Sequence, residues 1–113
     1  MNQKTVFFIL PLLLTASLRA DDATFQLKIS NHLFYPDTLT VPAGTRVKVI
    51  IENQDPTPEE FESFELNREK IIMGNTTATV FIGPLKPGTY PFFGEFNPET
   101  AQGKIIAVLP DKP

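Results

Sequence analysis

Two acidic segments carry the side chains best able to bind a cation or a basic partner. The segments are "PEEFES" and "GEFNPET". Together they supply five carboxylates and one amide, from Glu59, Glu60, Glu62, Glu95, Asn97 and Glu99. Oxygen donors suit hard cations, although an acidic stretch is also typical of a solvated surface. Alternation along a strand predicts Glu60 and Glu62 on one face, Phe61 on the other and Glu59 projecting from the loop end.

Two single residues offer softer donors. His32, in "NHLFYP", is the only histidine, and Met73 is the only methionine beyond Met1. Imidazole suits copper, iron and zinc, and a thioether is a soft ligand. A lone histidine is more often a turn residue, and a methionine at a strand end more often packs in the core or its rim. The sequence leaves these alternatives open.

The sequence gives little support for nucleophilic or hydrolytic catalysis. The chain has one histidine and no cysteine, which excludes a Cys–His pair, and nothing places Ser63 beside His32. Glu60 and Glu95 could in principle form a carboxylate pair, but no substrate cleft is expected on so small a domain. We therefore predict no catalytic residues.

The elements that must position these residues are short strands. Apolar and polar residues alternate in "TFQLKIS", "TRVKVIIEN" and "NTTATVFIG", and "TLTVPAG", "GTYPFFGEF" and "GKIIAVL" complete the set. The expected inward residues are Phe25, Leu27, Ile29, Val47, Val49, Ile51, Ala78, Val80 and Ile82. Proline and glycine turn signals separate the strands. The pattern predicts an all-β fold, an antiparallel Greek-key β-sandwich.

The segment "DPTPEEFESFELNREKIIMG" is the hardest to interpret. Its charge pattern is compatible with a helix, but Pro56, Pro58 and Gly74 crowd it. We predict a loop, a strand near residues 61–66, a turn, and a strand near residues 70–73.

The first twenty residues have the layout of a secretory signal peptide. Lys4 precedes an apolar run over residues 6–14, and Ala20 is a small residue before the polar "DDATFQ". An uncleaved anchor is the alternative, but the run is shorter than the ~20 residues that span a bilayer. We predict a signal peptide over residues 1–20, one domain over residues 21–113 and export to the periplasm.

Charge narrows the range of partners. The whole chain has a net charge of −3, and without Lys4 and Arg19 it keeps 8 basic and 13 acidic residues, a net charge of −5. A basic footprint for nucleic acid or anionic lipid is therefore absent. Without cysteine an exported domain has no disulfide, so its stability must come from the apolar core.

The order of these segments resembles the cupredoxin family, the copper-binding β-sandwiches of the plastocyanin and azurin type. The resemblance rests on "FYPDTLTVPAG", "VKVIIENQD", "LKPGTYPFFG" and "GKIIAV" and covers residues 21–113. It places the family's first histidine ligand at Glu59, the cysteine at Gly94, the second histidine at Asn97 and the methionine near Gln102. None of the four ligands is present, and a type 1 copper site needs a thiolate. This chain therefore cannot form a type 1 copper site.

The resemblance also implies that the two acidic segments meet at one end of the sandwich. The implied metal ligands are then Glu59, Glu60, Glu62, Glu95 and Asn97, with His32 and Met73 as softer candidates. Iron and manganese suit such oxygen donors, and Cu(II) also accepts them. Alternatively, Glu95 forms an ion pair with Arg68 or Lys70, and Asn97 only caps the "NPET" turn.

A narrower resemblance concerns "DPTPEEFESFELNREKII" and "FFGEFNPETAQG". Together they are similar to small periplasmic cupredoxin-like proteins that accompany bacterial high-affinity iron uptake. This implies an iron or copper cofactor, and an iron permease complex or a periplasmic iron-binding protein as partner. The implied activity is metal capture, hand-over or redox support, at most an accessory to oxidation of ferrous iron. The membrane would be reached only through the partner.

A metal-free interaction module is the second hypothesis. In that case the acidic end of the sandwich docks a transporter or periplasmic partner through a basic patch. Converging carboxylates would favour metal binding. Carboxylates that are splayed apart, or paired with Arg68 and Lys70, would favour the interaction module.

Overall fold

A computed structural model describes residues 22–110 of the 113-residue chain. They form nine strands and no helix: β1 (Ala23–Ser30), β2 (Leu33–Tyr35), β3 (Thr38–Pro42), β4 (Val47–Asn53), β5 (Glu59–Ser63), β6 (Arg68–Ile72), β7 (Thr77–Ile82), β8 (Gly88–Gly94) and β9 (Gln102–Val108). Within this range no helix has the length and apolar character needed to cross a bilayer. The predicted signal peptide, residues 1–20, lies outside the described residues.

The strands form two sheets. One has the order β2-β1-β4-β7, and the other has the order β3-β9-β8-β5-β6. Neighbouring strands are antiparallel except for two parallel pairs, β1 with β4 and β3 with β9. The predicted all-β sandwich is confirmed. The parallel pairs are an addition, because a period-two pattern identifies strands and not their partners.

The inward residues of the strands follow the predicted alternation. In β4, Val47, Val49 and Ile51 are buried, while the residues between them are half-buried. In β1, Leu27 and Ile29 are buried. Removing these alternate side chains from water is the main favourable contribution to folding of such a sandwich.

Three phenylalanines form the aromatic centre of the core. Phe34 on β2 makes an edge-to-face contact with Phe92 on β8, with ring centroids 4.9 Å apart. Phe61 on β5 lies 4.9 Å from Phe92 and is fully buried. The trio connects the two sheets, and Phe61 lies on β5, the strand that carries the first acidic segment.

The difficult segment is a hairpin, as predicted, with different bounds. Its strands are β5 (Glu59–Ser63) and β6 (Arg68–Ile72), so the first strand starts and ends earlier than expected. In this register Glu62 lies opposite Glu69, and Ser63 lies opposite Arg68. The turn lies earlier than predicted, over residues 64–67, and Glu69 therefore belongs to a strand and not to the turn.

The loop before β5 and the loop before β9 meet at one end of the sandwich. The backbone N–H of Phe96 and the side chain of Asn97 both donate hydrogen bonds to Glu59. Thr100 donates a hydrogen bond to the carbonyl of His32, which closes the same end from the β1–β2 turn. This contact between the loops was expected from the resemblance to cupredoxins.

Candidate functional site

Three carboxylates converge on the outer surface of the five-stranded sheet. Each of Glu60, Glu62 and Glu69 offers one oxygen, and these three oxygens all lie within 4.8 Å of one another. Glu60 and Glu62 are half-buried and Glu69 is exposed. We call this set the acidic face. Three oxygens at this spacing could hold one metal ion between them.

Alternation and strand register explain why the three side chains meet. Glu60 and Glu62 are two residues apart on β5, so they point to the same side of the sheet. Glu62 faces Glu69 directly across the antiparallel β5–β6 pair. Carboxylates directly opposite each other repel, so this register places a local electrostatic cost on the surface.

That repulsion affects protonation of the acidic face. A hydrogen bond with the Glu69 side chain, loss of water, and the negative charges of Glu69, Glu62 and Glu95 raise the pKa of Glu60 above its ordinary value. Partial desolvation, followed by the charges of Glu69 and Glu95, raises the pKa of Glu62. A bound cation would relieve the same repulsion, so protons and a cation compete for these oxygens.

Glu95 contributes charge to the acidic face from the neighbouring strand end. Its backbone N–H donates to the carbonyl of Glu60 at 2.8 Å. The alternative ion pairs with Arg68 and Lys70 do not occur among residues 22–110. Arg68 instead donates to the carbonyl oxygens of Phe81, at 2.8 Å, and Asn67, at 2.9 Å. The charge of Glu95 therefore stays available to the acidic face.

The structure places Glu59 on the opposite side of the sheet from the acidic face. Glu59 is the first residue of β5 and shares the inward side with Phe61, where it is 2% exposed. Its carboxylate accepts hydrogen bonds from Asn97 Nδ2 and from the backbone of Phe96, both at 2.9 Å. Glu59 and Asn97 are thus brought together, but away from Glu60 and Glu62.

His32 does not belong to the group of closely spaced oxygens, and Met73 lies just beyond the end of β6. The Nδ1 atom of His32 lies 3.5 Å from Oδ2 of Asp55, whose carboxylate also accepts the backbone N–H groups of Asn31 and His32. Met73 follows β6 and is 58% exposed. That His32 and Met73 bind a metal remains a prediction. The imidazole of His32 already lies beside the carboxylate of Asp55.

The positions of the cupredoxin ligands contain no donor set for type 1 copper. The chain has no cysteine, so the thiolate that defines such a site is missing. Gly94 stands at the cysteine position with no side chain, and the side-chain nitrogen of Gln102 donates to the carbonyl of Pro98 at 2.9 Å. A type 1 copper centre therefore does not fit these residues.

A shallow polar depression of 200 Å³ adjoins the acidic face. It is lined by Glu62, Ser63, Phe64, Asn67, Arg68 and Glu69. A separate groove of 340 Å³ lies at the loop end and is lined by His32, Phe96, Asn97, Pro98, Glu99 and Thr100. The first is lined by two of the three carboxylates of the acidic face, Glu62 and Glu69.

Glu69 is the member of the acidic face that sequence reasoning missed. A hairpin with a four-residue turn over residues 64–67 would have paired Glu62 with Glu69. The predicted longer first strand instead placed Glu69 in the turn. The "FELN" composition did offer a signal, since Asn67 has a left-handed φ of 55°, a conformation that asparagine tolerates in turns.

Comparison with known sequences identifies one protein family whose model matches this chain. The Cupredoxin-like domain family matches residues 4–107. A protein of Rickettsia prowazekii (strain Madrid E), named uncharacterized protein RP394, is 44% identical over 90 residues, which cover 78% of this chain and 72% of the relative. Both matches include most of the strands, so the likeness concerns the whole sandwich.

Several solved structures share the fold. Auracyanin A, described as a "blue" copper protein from Chloroflexus aurantiacus, matches with a TM-score of 0.67 at 15% identity, over 78% of this chain and 100% of its own. Amicyanin from Paracoccus versutus has a TM-score of 0.59 at 20% identity, over 82% and 87% of the two chains. The metal-binding domain of the Cu(I)-exporting ATPase CopA from Streptococcus pneumoniae D39 has a TM-score of 0.67 at 13% identity, over 75% and 84%. At these identities the likenesses show a shared sandwich fold.

Proposed function

The chain belongs to the cupredoxin-like domain family, and we propose that it is a periplasmic metal-binding protein that assists iron uptake. It captures a cation at the acidic face and passes it to a membrane iron permease complex or a periplasmic iron-binding protein. The signal-peptide pattern of residues 1–20 and the resemblance of both acidic segments to proteins of iron uptake support this assignment.

The convergence of three carboxylates carries the proposal. Glu60, Glu62 and Glu69 place one oxygen each within 4.8 Å of the others, on a sheet whose register holds them there. Within residues 22–110 no lysine or arginine forms an ion pair with any of them. A solvated acidic surface would normally spread such charges or pair them, because like charges at this distance repel.

The donor set favours a hard cation. All three close donors are carboxylate oxygens, which suit iron and manganese better than they suit a soft ion such as Cu(I). Cu(II) also accepts oxygen donors, and redox support of the permease would need such a metal. Glu95 lies close enough to raise the pKa of Glu60 and Glu62, so it adds attraction for any cation bound there.

The openness of the acidic face fits capture followed by release. Glu69 is exposed and lies on β6, the outermost strand of its sheet. Three protein oxygens leave further coordination positions for water or for a partner's ligands, because iron and manganese bind six donors in octahedral sites. A partner with additional ligands can therefore remove the cation by completing its coordination.

Docking of a basic partner is a second candidate function, and the surroundings of the acidic face favour it. Phe64 is 75% exposed and lies against Phe93, with ring centroids 5.6 Å apart. Ile71 is 52% exposed and lies opposite Glu60 on the outward side of β6. Exposed apolar side chains around a charged centre are typical of a protein interface.

Calorimetric titration of the apo protein with Fe(II), Mn(II) and Cu(II) tests the metal-binding proposal, with iron kept under anaerobic conditions. The test variant is Glu60→Gln with Glu69→Gln, and the matched control is Glu65→Gln with Glu99→Gln, which removes the same charge outside the acidic face. We expect binding at micromolar affinity that falls at least tenfold in the test variant only. Equal loss in both variants would mean that only net charge matters.

The same titration separates the two candidate functions. No heat and no thermal stabilisation with any of the three metals would overturn the metal-binding proposal. The docking function would then be tested with Phe64→Ala, which removes exposed apolar surface and leaves every carboxylate in place. A basic partner that binds wild type should bind this variant several-fold more weakly.

A further inference from the structure

The buried carboxylate of Glu59 lies where the two loops meet. Its Oε1 accepts the backbone N–H of Phe96 at 2.9 Å and that of Glu60 at 3.0 Å. Its Oε2 accepts Asn97 Nδ2 at 2.9 Å. Two of these three donors belong to the loop before β9, whereas Glu59 belongs to β5. One carboxylate thus joins two separate parts of the chain.

The same carboxylate fills the space beside Gly94. A Cβ placed on Gly94 would lie 2.6 Å from both Cδ and Oε2 of Glu59, and 2.7 Å from the Cβ of Ala101. Atoms at those distances overlap, so no side chain fits at residue 94 while Glu59 keeps its position. The resemblance to cupredoxins assigns residue 94 to the cysteine ligand, and here Glu59 occupies that volume.

The cupredoxin ligand positions are consequently connected to one another without a metal. Glu59, at the first histidine position, hydrogen-bonds Asn97, at the second. The backbone closes the same loop, since the N–H of Ala101 donates to the carbonyl of Asn97 at 2.9 Å and the N–H of Gly94 donates to that of Ala101 at 2.8 Å. Both carboxylate oxygens of Glu59, the atoms that would have to face a metal, already accept hydrogen bonds.

We propose that Glu59 is a carboxylate latch that replaces the copper ion as the connection between the β5 strand end and the β8–β9 loop. A buried carboxylate is stable only when hydrogen bonds compensate its lost hydration. Three N–H donors supply that compensation, and hydrogen bonds to a charged acceptor are stronger than neutral ones. The hydrogen-bonded carboxylate of Glu59 therefore leaves no place for a cation between β5 and the β8–β9 loop. Metal capture is confined to the outer surface of the sheet.

A double-mutant cycle between Glu59 and Asn97 tests the latch. Glu59→Gln removes the charge and turns an NH₂ group toward Asn97, whose amide must rotate before its Oδ1 can accept, and Asn97→Asp sets two carboxylates against each other. Each single change should lower Tm by about 10 °C. In the double variant the amide introduced at residue 59 donates to the carboxylate introduced at residue 97. This variant should therefore regain at least half of the lost Tm. Glu62→Gln on the same strand is the control and should show no coupling to Asn97→Asp.

Strictly additive losses in the cycle would overturn the latch. Hydrogen exchange on the wild-type protein gives a second test that needs no variant. The Phe96 amide should be protected, because it donates to a buried carboxylate, whereas an amide in an untethered loop exchanges freely. A rapidly exchanging Phe96 amide would contradict the proposal even if the single variants fail to fold.

Titration with Cu(II) distinguishes a latch from a hidden metal ligand. If Glu59 is a latch, any Cu(II) affinity of the wild-type protein should be unchanged in Glu59→Gln when both are measured below their melting temperatures. A loss of ten-fold or more in that variant, without a similar loss in Glu60→Gln with Glu69→Gln, would make Glu59 a ligand and overturn the latch. Failure of the acidic face to bind metal would leave the latch unaffected.

Discussion

At the scale of single residues, the acidic face is defined by charges that oppose folding. Glu62 and Glu69 lie directly opposite each other, and partial desolvation together with the charge of Glu69 raises the pKa of Glu62. A carboxyl group whose pKa is raised in the folded state binds protons more tightly there than in the unfolded chain. Its contribution to stability is therefore greatest at low pH and is lost as pH rises through the raised pKa. Residues that weaken the fold in this way are typical of binding sites.

Removing one of these charges should stabilise the protein at neutral pH. Glu62→Gln removes the repulsion between residues 62 and 69, so we expect Tm to rise by a few degrees at about pH 7. The gain should vanish near pH 4, below the ordinary pKa of 4.5, because Glu62 of the wild-type protein, whose pKa is raised, is then largely protonated. Thermal melts of both proteins across this pH range measure the difference.

Glu65→Gln is the control for this measurement, since Glu65 lies in the exposed hairpin turn outside the acidic face. Its Tm should stay within about one or two degrees of wild type at both pH values. High salt should shrink the gain of Glu62→Gln, because repulsion between exposed charges is screened. A gain that is independent of both pH and salt would have another cause than repulsion.

His32 allows a second residue-scale prediction. Its imidazole lies beside Asp55 and is 47% exposed, and it does not belong to the closely spaced oxygens of the acidic face. His32→Ala should therefore leave the affinity for Fe(II) or Mn(II) within about twofold of wild type by calorimetry. A tenfold loss would show that the imidazole reaches the bound metal. His32→Gln, which retains side-chain bulk and polarity, separates loss of a ligand from local disturbance of the turn.

At the scale of elements, the strands were predictable because a strand with one buried face has apolar residues at every second position. Val47, Val49 and Ile51 alternate with polar residues, and the structure buries all three. The site was less predictable because it depends on where a strand begins. Because β5 begins at Glu59, the alternation that buries Phe61 also buries Glu59, two residues earlier on the same side of the strand. The expectation that Glu59 projects from the loop end instead grouped it with Glu60 and Glu62 as a metal ligand.

Hairpin register explains the remaining difference at this scale. Turn length fixes which residues face each other, and a small error in the turn changes every pair beyond it. The pairing of Glu62 with Glu69 therefore required the turn over residues 64–67. Parallel pairing of β1 with β4 and of β3 with β9 was equally hidden, because it depends on contacts between strands distant in sequence.

Asn53 holds the β5–β6 hairpin at the end of β4 and supplies an element-scale prediction. It is 1% exposed, and its amide donates to the carbonyls of Thr57 at 2.9 Å and Ile72 at 3.0 Å. Asn53→Ala leaves these acceptors without partners in the interior. We expect a loss of about 3 kcal/mol in the free energy of unfolding, measured with urea.

Gln54→Ala is the matched control for Asn53→Ala. Gln54 is exposed, and its backbone N–H, which donates to Ile29, remains in the variant. Its cost should stay within about 0.5 kcal/mol. Equal and small losses in both variants would mean that backbone pairing alone holds the hairpin in place.

At the scale of the whole molecule, stability rests on a single core shared by both sheets. The chain has no cysteine, and no disulfide restricts its unfolded state. Domains of this size are stable by only about 5–15 kcal/mol. The aromatic contacts of Phe34, Phe61 and Phe92 lie between the sheets, and Phe61 comes from the strand that carries both the acidic face and Glu59.

Phe61→Ala should therefore weaken the whole domain and not only the hairpin. Truncation of a fully buried phenylalanine costs about 3–5 kcal/mol, a large part of the total. Phe64→Ala, three residues away but 75% exposed, should cost less than about 0.5 kcal/mol.

Urea denaturation followed by two probes, backbone circular dichroism and hydrogen exchange of the Phe96 amide, should give coincident shifted transitions for Phe61→Ala. If the Phe96 amide becomes exposed at lower urea than the bulk of the sheets, the hairpin and its loop unfold as a separate unit. The acidic face could then be lost while the rest of the sandwich remains folded.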